Sequence, residues 1–343
     1  MQTRSAIMAV NRSTPAAVQQ VISKRPVSGW VPCNMTESTV TSSSAAQKDQ
    51  LYAADPARPD LPVLNRDARV LLAWMSEPQA RLTLLGGRPH AVLTAEQEAS
   101  IASAHRALAA RPGGVDQNGL IRPMPADMRD YIARLKDNPQ SQSYFAEGYT
   151  PALVDLTRVC AFQPNVFTGH TTERLAGVDT ADFHSMAELT LPLAESPVLT
   201  PQYDHHRLTF ITDLANDNLQ VVGAFGGPDA NAPPGTISLG FQVRVIASFV
   251  QVTSVQGRYF LRDGYHRCLG LVQHGVRYAP AFVRDDIALA DLVPPGMLPF
   301  ETFMGDKPPA LPDYWDDSVS HSVQLPAARK VIVVQASEIS IAG

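Results

Sequence analysis

Cysteine is scarce in this chain of 343 residues, which has only Cys33, Cys160 and Cys268. Three widely spaced thiols fit neither a disulfide framework nor the paired spacing of a Cys-x-x-Cys zinc site. Charge is sparse as well, at 18% of residues, and 28 Lys and Arg against 33 Asp and Glu leave a net charge of −5. That balance argues against a protein whose main task is coating nucleic acid, so nucleic acid is not an expected partner. No stretch approaches the ~18 consecutive apolar residues of a membrane span. A secretory signal is not legible either, because Ile7-Met8-Ala9-Val10 is too short and runs into Asn11-Arg12. The GxSxG motif of Ser hydrolases and the GxxxxGK(S/T) phosphate loop are both missing. These absences describe a soluble, cytoplasmic chain without a membrane partner.

Hydrophobic residues make up 45% and the mean hydropathy is −0.08, a globular composition. Proline, at 28 residues, is well above the usual ~5% and predicts many loops and short elements. Residues 1–50 read as a disordered leader, since 34–48 are polar and of low complexity and cannot offset their ordering entropy. Residues 51–148 read as a helical segment. Val70, Leu71, Leu72 and Trp74 cluster on one expected helix, and Thr94 with Gln97 forms a capping-box pattern before Ile101, His105 and Leu108. Gly113-Gly114 is expected to stop that helix, and Pro125 to open another carrying Met128, Ile132 and Leu135. With no catalytic constellation, this segment is expected to pack the fold or to receive a protein partner.

From residue 149 the pattern turns to strands. Residues 207–212 and 219–222 predict a hairpin about Ala215–Asn218, and 226–235 predict a loop of about ten residues. Phe241–Val252 reads as one long strand. Gln256-Gly257 marks a turn into a strand over 258–262, followed by Asp263-Gly264, a helix over 265–274 ended by Gly275, and a strand over 277–283. Beyond 286 the chain is Pro-rich and ends in one or two strands. Adjacent His205 and His206 on a strand would face opposite ways. The pair Asp204 and His206 has only His184 as a further candidate, so no metal centre is expected.

The chemistry is expected at the strand–Asp263-Gly264–helix junction. A glycine there admits close backbone approach, and the first N–H groups of the helix lie at the positive end of its dipole. Such a turn suits a phosphate or carboxylate. Arg267 would add a bidentate contact and His266 a further hydrogen bond, while Asp263 would hold Mg²⁺ or accept a proton. Asp263 is equally a natural helix cap, and Cys268 is expected to face the core.

Residues Tyr259–Leu271, with Asp263-Gly264-Tyr265-His266-Arg267 at their centre, and Gly275–Val283 resemble the ParB/sulfiredoxin superfamily. Val154–Asn165, with its Gln163-Pro164 turn, is similar to the opening strand of ParB-like domains. The resemblance covers about 150–285 with a long insertion. It implies an α+β fold, a small mixed sheet with packed helices over 149–285, preceded by the helical segment and followed by the 286–343 extension. It also implies a nucleoside di- or triphosphate with Mg²⁺ bound at Gly264, Tyr265, His266 and Arg267. Asp263 and His266 are then the candidate catalytic residues for phosphate transfer or hydrolysis. Tyr265 stands where sulfiredoxins carry cysteine, and residues 286–343 are not basic enough for a DNA-binding region, so neither redox repair nor chromosome partition is implied. The alternatives are a non-catalytic interaction protein that keeps the fold, and, lower, a ParB-like nuclease or DNA-binding protein.

Overall fold

Strands buried on both faces organise this protein. In the computed structural model, which describes residues 64–335 apart from 87, 89–90, 194–201, 205–208, 215–218, 229–231, 293–295 and 328–329, the elements run as follows. The first are β1 (Asn65–Val70), α1 (Glu77–Leu84), α2 (Ala95–Ala110), β2 (Ile121–Arg122), α3 (Arg129–Asp137) and α4 (Gln142–Ala146). Then come β3 (Thr150–Asp155), β4 (Asn165–Phe167), α5 (Thr168–Leu175), α6 (Phe183–Thr190), β5 (Gln202–Asp204), β6 (Thr209–Leu214), β7 (Leu219–Pro228) and β8 (Ile237–Val245). The chain continues through β9 (Gln251–Val255), β10 (Arg258–Asp263), α7 (Tyr265–Gln273), β11 (Tyr278–Arg284), α8 (Leu289–Leu292), α9 (Phe300–Phe303), β12 (His321–Pro326) and β13 (Lys330–Gln335). The architecture is mixed α+β, with several small sheets and packed helices. The expected leader, the 215–218 turn and the His205-His206 pair lie outside the described residues.

The largest sheet has the order β10-β9-β11-β3-β2. All five residues of β9 are buried, and so are the five central residues of β11, because both faces of these strands are covered. β9 and β11 are parallel, linked through the β10 hairpin strand and α7, and the other pairings are antiparallel. Gln256 and Gly257 have φ of 52° and 76°, the left-handed pair that a two-residue hairpin turn requires. A smaller sheet, β12-β1-β4, is antiparallel throughout. It joins the segment 51–148 to both later parts of the chain.

Five local expectations are corrected. Val70 ends β1 and Leu72–Trp74 form a single 3-10 turn, so the apolar run there is not one helix. Every side chain from Val70 to Met75 is buried, and an all-round apolar run carries no periodicity with which to choose. The segment 51–148 therefore contributes two strands as well as helices in its described part. Helix α2 has the expected capping box, with Gln97 N–H donating to Thr94 Oγ1, but it ends at Ala110, before Pro112 and short of the glycines. β6 pairs with β13 and β5, whereas β7 pairs with β8, so the expected 207–222 hairpin is replaced by two others. Gly226-Gly227-Pro228 belongs to β7, not to a loop. The long strand over 241–252 is broken at 246–250, where Ser248 and Val250 are drawn into bonds with α7 and α6.

Asp155 locks one end of the main sheet. It is 0% exposed and accepts hydrogen bonds from Thr157 N and Oγ1, Arg158 Nε and Arg277 Nε. Burial works to raise its pKa, but the bonds from Thr157, Arg277 and Arg158 outweigh it and hold the carboxyl below its usual range. Asp155→Ala is expected to cost about 2 kcal/mol, the range for hydrogen bonds to a charged group. Urea unfolding with an unchanged slope checks this.

Candidate functional site

The junction between β10 and α7 is fixed by sterics. Gly264 has φ +98°, and a Cβ there would stand 2.6 Å from Val250 Cγ2 and 3.1 Å from Val250 Cα. Only glycine satisfies both constraints. Asp263 is half-buried and both its oxygens are engaged. Oδ1 accepts from Gly264 N at 2.6 Å and Oδ2 from the Ser248 hydroxyl at 3.1 Å. It braces the turn from the residue before the cap position, which Gly264 itself occupies.

Two residues expected to touch a ligand point into the protein. Tyr265 is buried, and its hydroxyl accepts from the N–H groups of Phe162 at 3.0 Å and Gln163 at 3.4 Å. It ties the Gln163-Pro164 turn to α7, so the two stretches that carry the resemblance meet here. Burial raises its phenol pKa, and the bonds from Phe162 and Gln163 only partly offset that. Arg267 is 4% exposed. Its Nη1 donates to Ser248 O at 2.6 Å and Leu189 O at 3.3 Å, and its Nη2 donates to Ser248 Oγ at 2.8 Å. Burial pulls its pKa down, with the Asp263 charge opposing. Arg267 is therefore a positioning residue that fixes the turn, and its fork is not open to an external anion. Cys268 faces the core as expected, and burial pushes its thiol up to about 12.

His266 faces the other way, toward α5. Gly270 makes that approach close: a Cβ there would lie 2.5 Å from Leu175 Cδ1 and 3.0 Å from Thr171 O. The rings of His170 and His266 meet edge to face with centroids 5.3 Å apart. Arg66, from β1, places Nη1 3.1 Å from Nε2 of His170. The Nε2 atom of His266 is sealed from solvent and has no hydrogen-bond partner. Burial first, then the charges of His170, Arg174 and Arg267, lowers its pKa to about 4. The seam between α5 and α7 thus gathers Arg66, His170, Arg174 and His266 beside the N-terminus of α7.

Asp263 borders a separate cleft of about 610 Å³, lined also by Tyr144, Glu147, Gln251, Arg262 and Asp291. His266 does not line it. Among the described residues, no group of three His, Cys, Asp or Glu side chains stands close enough to hold a metal ion, and no helix is long and apolar enough to cross a membrane.

Of the expected site residues, Gly264 forms the left-handed turn into α7, His266 lies against His170 of α5, Asp263 braces the turn, and Tyr265 and Arg267 are turned inward. Sequence reading missed Arg66, His170 and Arg174. The i,i+4 spacing of His170 and Arg174 on one helix was a usable signal. Arg66 gave none, since it lies 104 residues from its contact, on a strand where it pairs with Leu325 of β12, 259 residues further on in sequence. Comparison with protein families, curated proteins and solved structures finds no match to this chain.

Arg267→Ala is expected to destabilise the fold by about 3–5 kcal/mol, the cost of breaking a buried, hydrogen-bonded charge network. Arg267→Lys should recover only part of this, because an ammonium does not reproduce the planar fork. Chemical denaturation measures both. Loss smaller than 1 kcal/mol for Arg267→Ala would remove the positioning role.

Proposed function

We propose that this protein binds the phosphate groups of a nucleoside di- or triphosphate at the α5–α7 seam, over the first turn of α7. The observation that carries the reading is the unpartnered, solvent-sealed Nε2 of His266, set beside His170 and Arg174 at the positive end of a helix, with Arg66 on the ring of His170. A buried polar atom without a partner costs about 1–3 kcal/mol. Nε2 is sealed while α5 lies against α7, so the proposed anion enters by parting the two helices at this seam; by accepting from His266 it then removes that cost and balances the local positive charge. The strand–Gly264–helix–strand order of β10, α7 and β11, and the contact between the two motif stretches, support a ParB/sulfiredoxin-like domain. Within that reading the anion contacts pass from Arg267 to His266, Arg66 and Arg174.

Phosphate transfer or hydrolysis is the proposed activity, with the cleft beside Asp263 as the place for the acceptor. Asp263, hydrogen-bonded yet bordering that cleft, is the nearest carboxylate to the turn able to take a proton. Mg²⁺ would arrive with the nucleotide and be held by phosphate oxygens and water, there being no cluster of three protein ligands for it among the described residues. Helices α1 and α2 pack into the main core and α3 into a second cluster with Phe249 and Phe282, and no particular observation favours the interaction-protein or nuclease readings.

Thermal melting with ATP, ADP, CTP, GTP and pyrophosphate, each with and without Mg²⁺, tests the site. A ligand at 100 times its Kd should add about 2.7 kcal/mol of stability. His266→Ala and Arg66→Ala should each weaken binding about tenfold or more while leaving the ligand-free melting temperature at or near that of the parent. No stabilisation by any of the five would refute the proposal.

The pH dependence follows from the lowered pKa of His266. The unfolded ring takes its proton near pH 6.5 and the folded ring only near 4, so the unfolded state binds more protons between these values. Stability therefore falls as pH drops from about 6.5 toward 4, by at most roughly 3 kcal/mol from this group. A bound anion favours the charged ring. An NMR titration of the His266 ring is expected to show its pKa rising on addition of pyrophosphate. An unmoved titration curve would place the anion elsewhere.

A further inference from the structure

The hairpin β7–β8 leaves an apolar face uncovered. Cross-strand register sets Val221, Ala224 and Gly226 opposite Val243, Phe241 and Leu239, with Ile237 continuing the same face. Directly opposed residues share a face and alternate residues along a strand return to it. Ile237 is 66% exposed, Leu239 79%, Phe241 52% and Val221 50%. The reverse face is mostly polar or glycine: Ser238, Gly240, Gln242 and Arg244 face Gly227, Phe225, Gly223 and Gln220. The alternation is that of a strand pair meant to be covered on one side, and among the described residues no third strand joins it. A lone two-stranded hairpin is marginal in water.

We propose that this face is the contact between two copies of the chain, packed hairpin on hairpin about a two-fold axis. The area fits. Two strands of nine to ten residues make a face roughly 30 Å by 10 Å, which with side-chain relief is on the order of 500 Å² accessible per copy. Two such faces bury about 1,000 Å², the lower bound of a specific interface. Charge fits as well. No ionised side chain lies between Leu219 and Gly227 or between Ile237 and Val243, and Arg244 is on the reverse face, so nothing on this face repels its own copy. An anionic bilayer is the less suited occupant, because the chain carries a net charge of −5 and like charge repels it from such a surface.

The test is sedimentation of the full chain at about 1–100 µM, with a doubly substituted variant, Leu239→Glu with Phe241→Glu, and Gln242→Glu as the control for charge on the reverse face. The expected result is twice the chain mass for the parent and the control. For the double variant we expect a dimer Kd raised about a hundredfold or more, with an unchanged circular dichroism spectrum. If the double variant fails to fold, Leu239→Cys in a Cys33→Ser background should give a cross-linked dimer with a short bis-maleimide, and Gln242→Cys should not. A parent that stays monomeric at ~100 µM, or a folded double variant that still dimerises, overturns the proposal. So does a monomer that floats with phosphatidylcholine–phosphatidylglycerol vesicles, which would give the face to lipid. A monomer that does neither would leave it to a different protein.

Discussion

The buried guanidinium of Arg267 is the constraint on which the candidate site depends. A cation at 4% exposure is tolerated only when its charge is balanced and its donors are used. Here two backbone carbonyls and the Ser248 hydroxyl take its hydrogen bonds, and that hydroxyl donates onward to Asp263. One network thus joins the end of α6, the segment before β9, the end of β10 and the first turn of α7. These bonds fall where the chain leaves the sheet, with Ser248 serving Arg267 inside the break at 246–250.

With Arg267 directed inward, the outer side of the turn is left to other groups. Gly264 and Gly270 shape it from opposite ends, one by fitting against Val250 and the other by letting α5 lie against α7. Close helix contact at Gly270 brings His170 to His266, and β1 carries Arg66 to the same place. The lowered pKa of His266 is a consequence of this crowding, chiefly of burial and then of neighbouring positive charge.

Much of this was legible in the sequence because it is local. The Gln256-Gly257 turn, the capping box at Thr94, the Gly264 junction, the helix ending at Gly275 and the inward Cys268 each follow from neighbouring residues and short-range geometry. The α+β class was what the resemblance over 150–285 implied, and the mixed architecture agrees with it. Local pattern was silent where burial was complete on all sides, as at Val70–Trp74, and it was misleading where strand partners are chosen at a distance, as for β6 and β7.

The sequence by itself determined the sharp turn at Asp263-Gly264 and the helix behind it, since backbone preference and capping act over a few residues. Tertiary structure alone decided which side chains of that turn face outward. Arg267 and Tyr265 could have served a ligand, but packing against Ser248 and Phe162 claims them, and His266 is left against His170, which Arg66 reaches from a distant strand. The physical reason is that hydrogen-bond partners for a buried polar group are assigned by the whole packed chain and not by its neighbours in sequence.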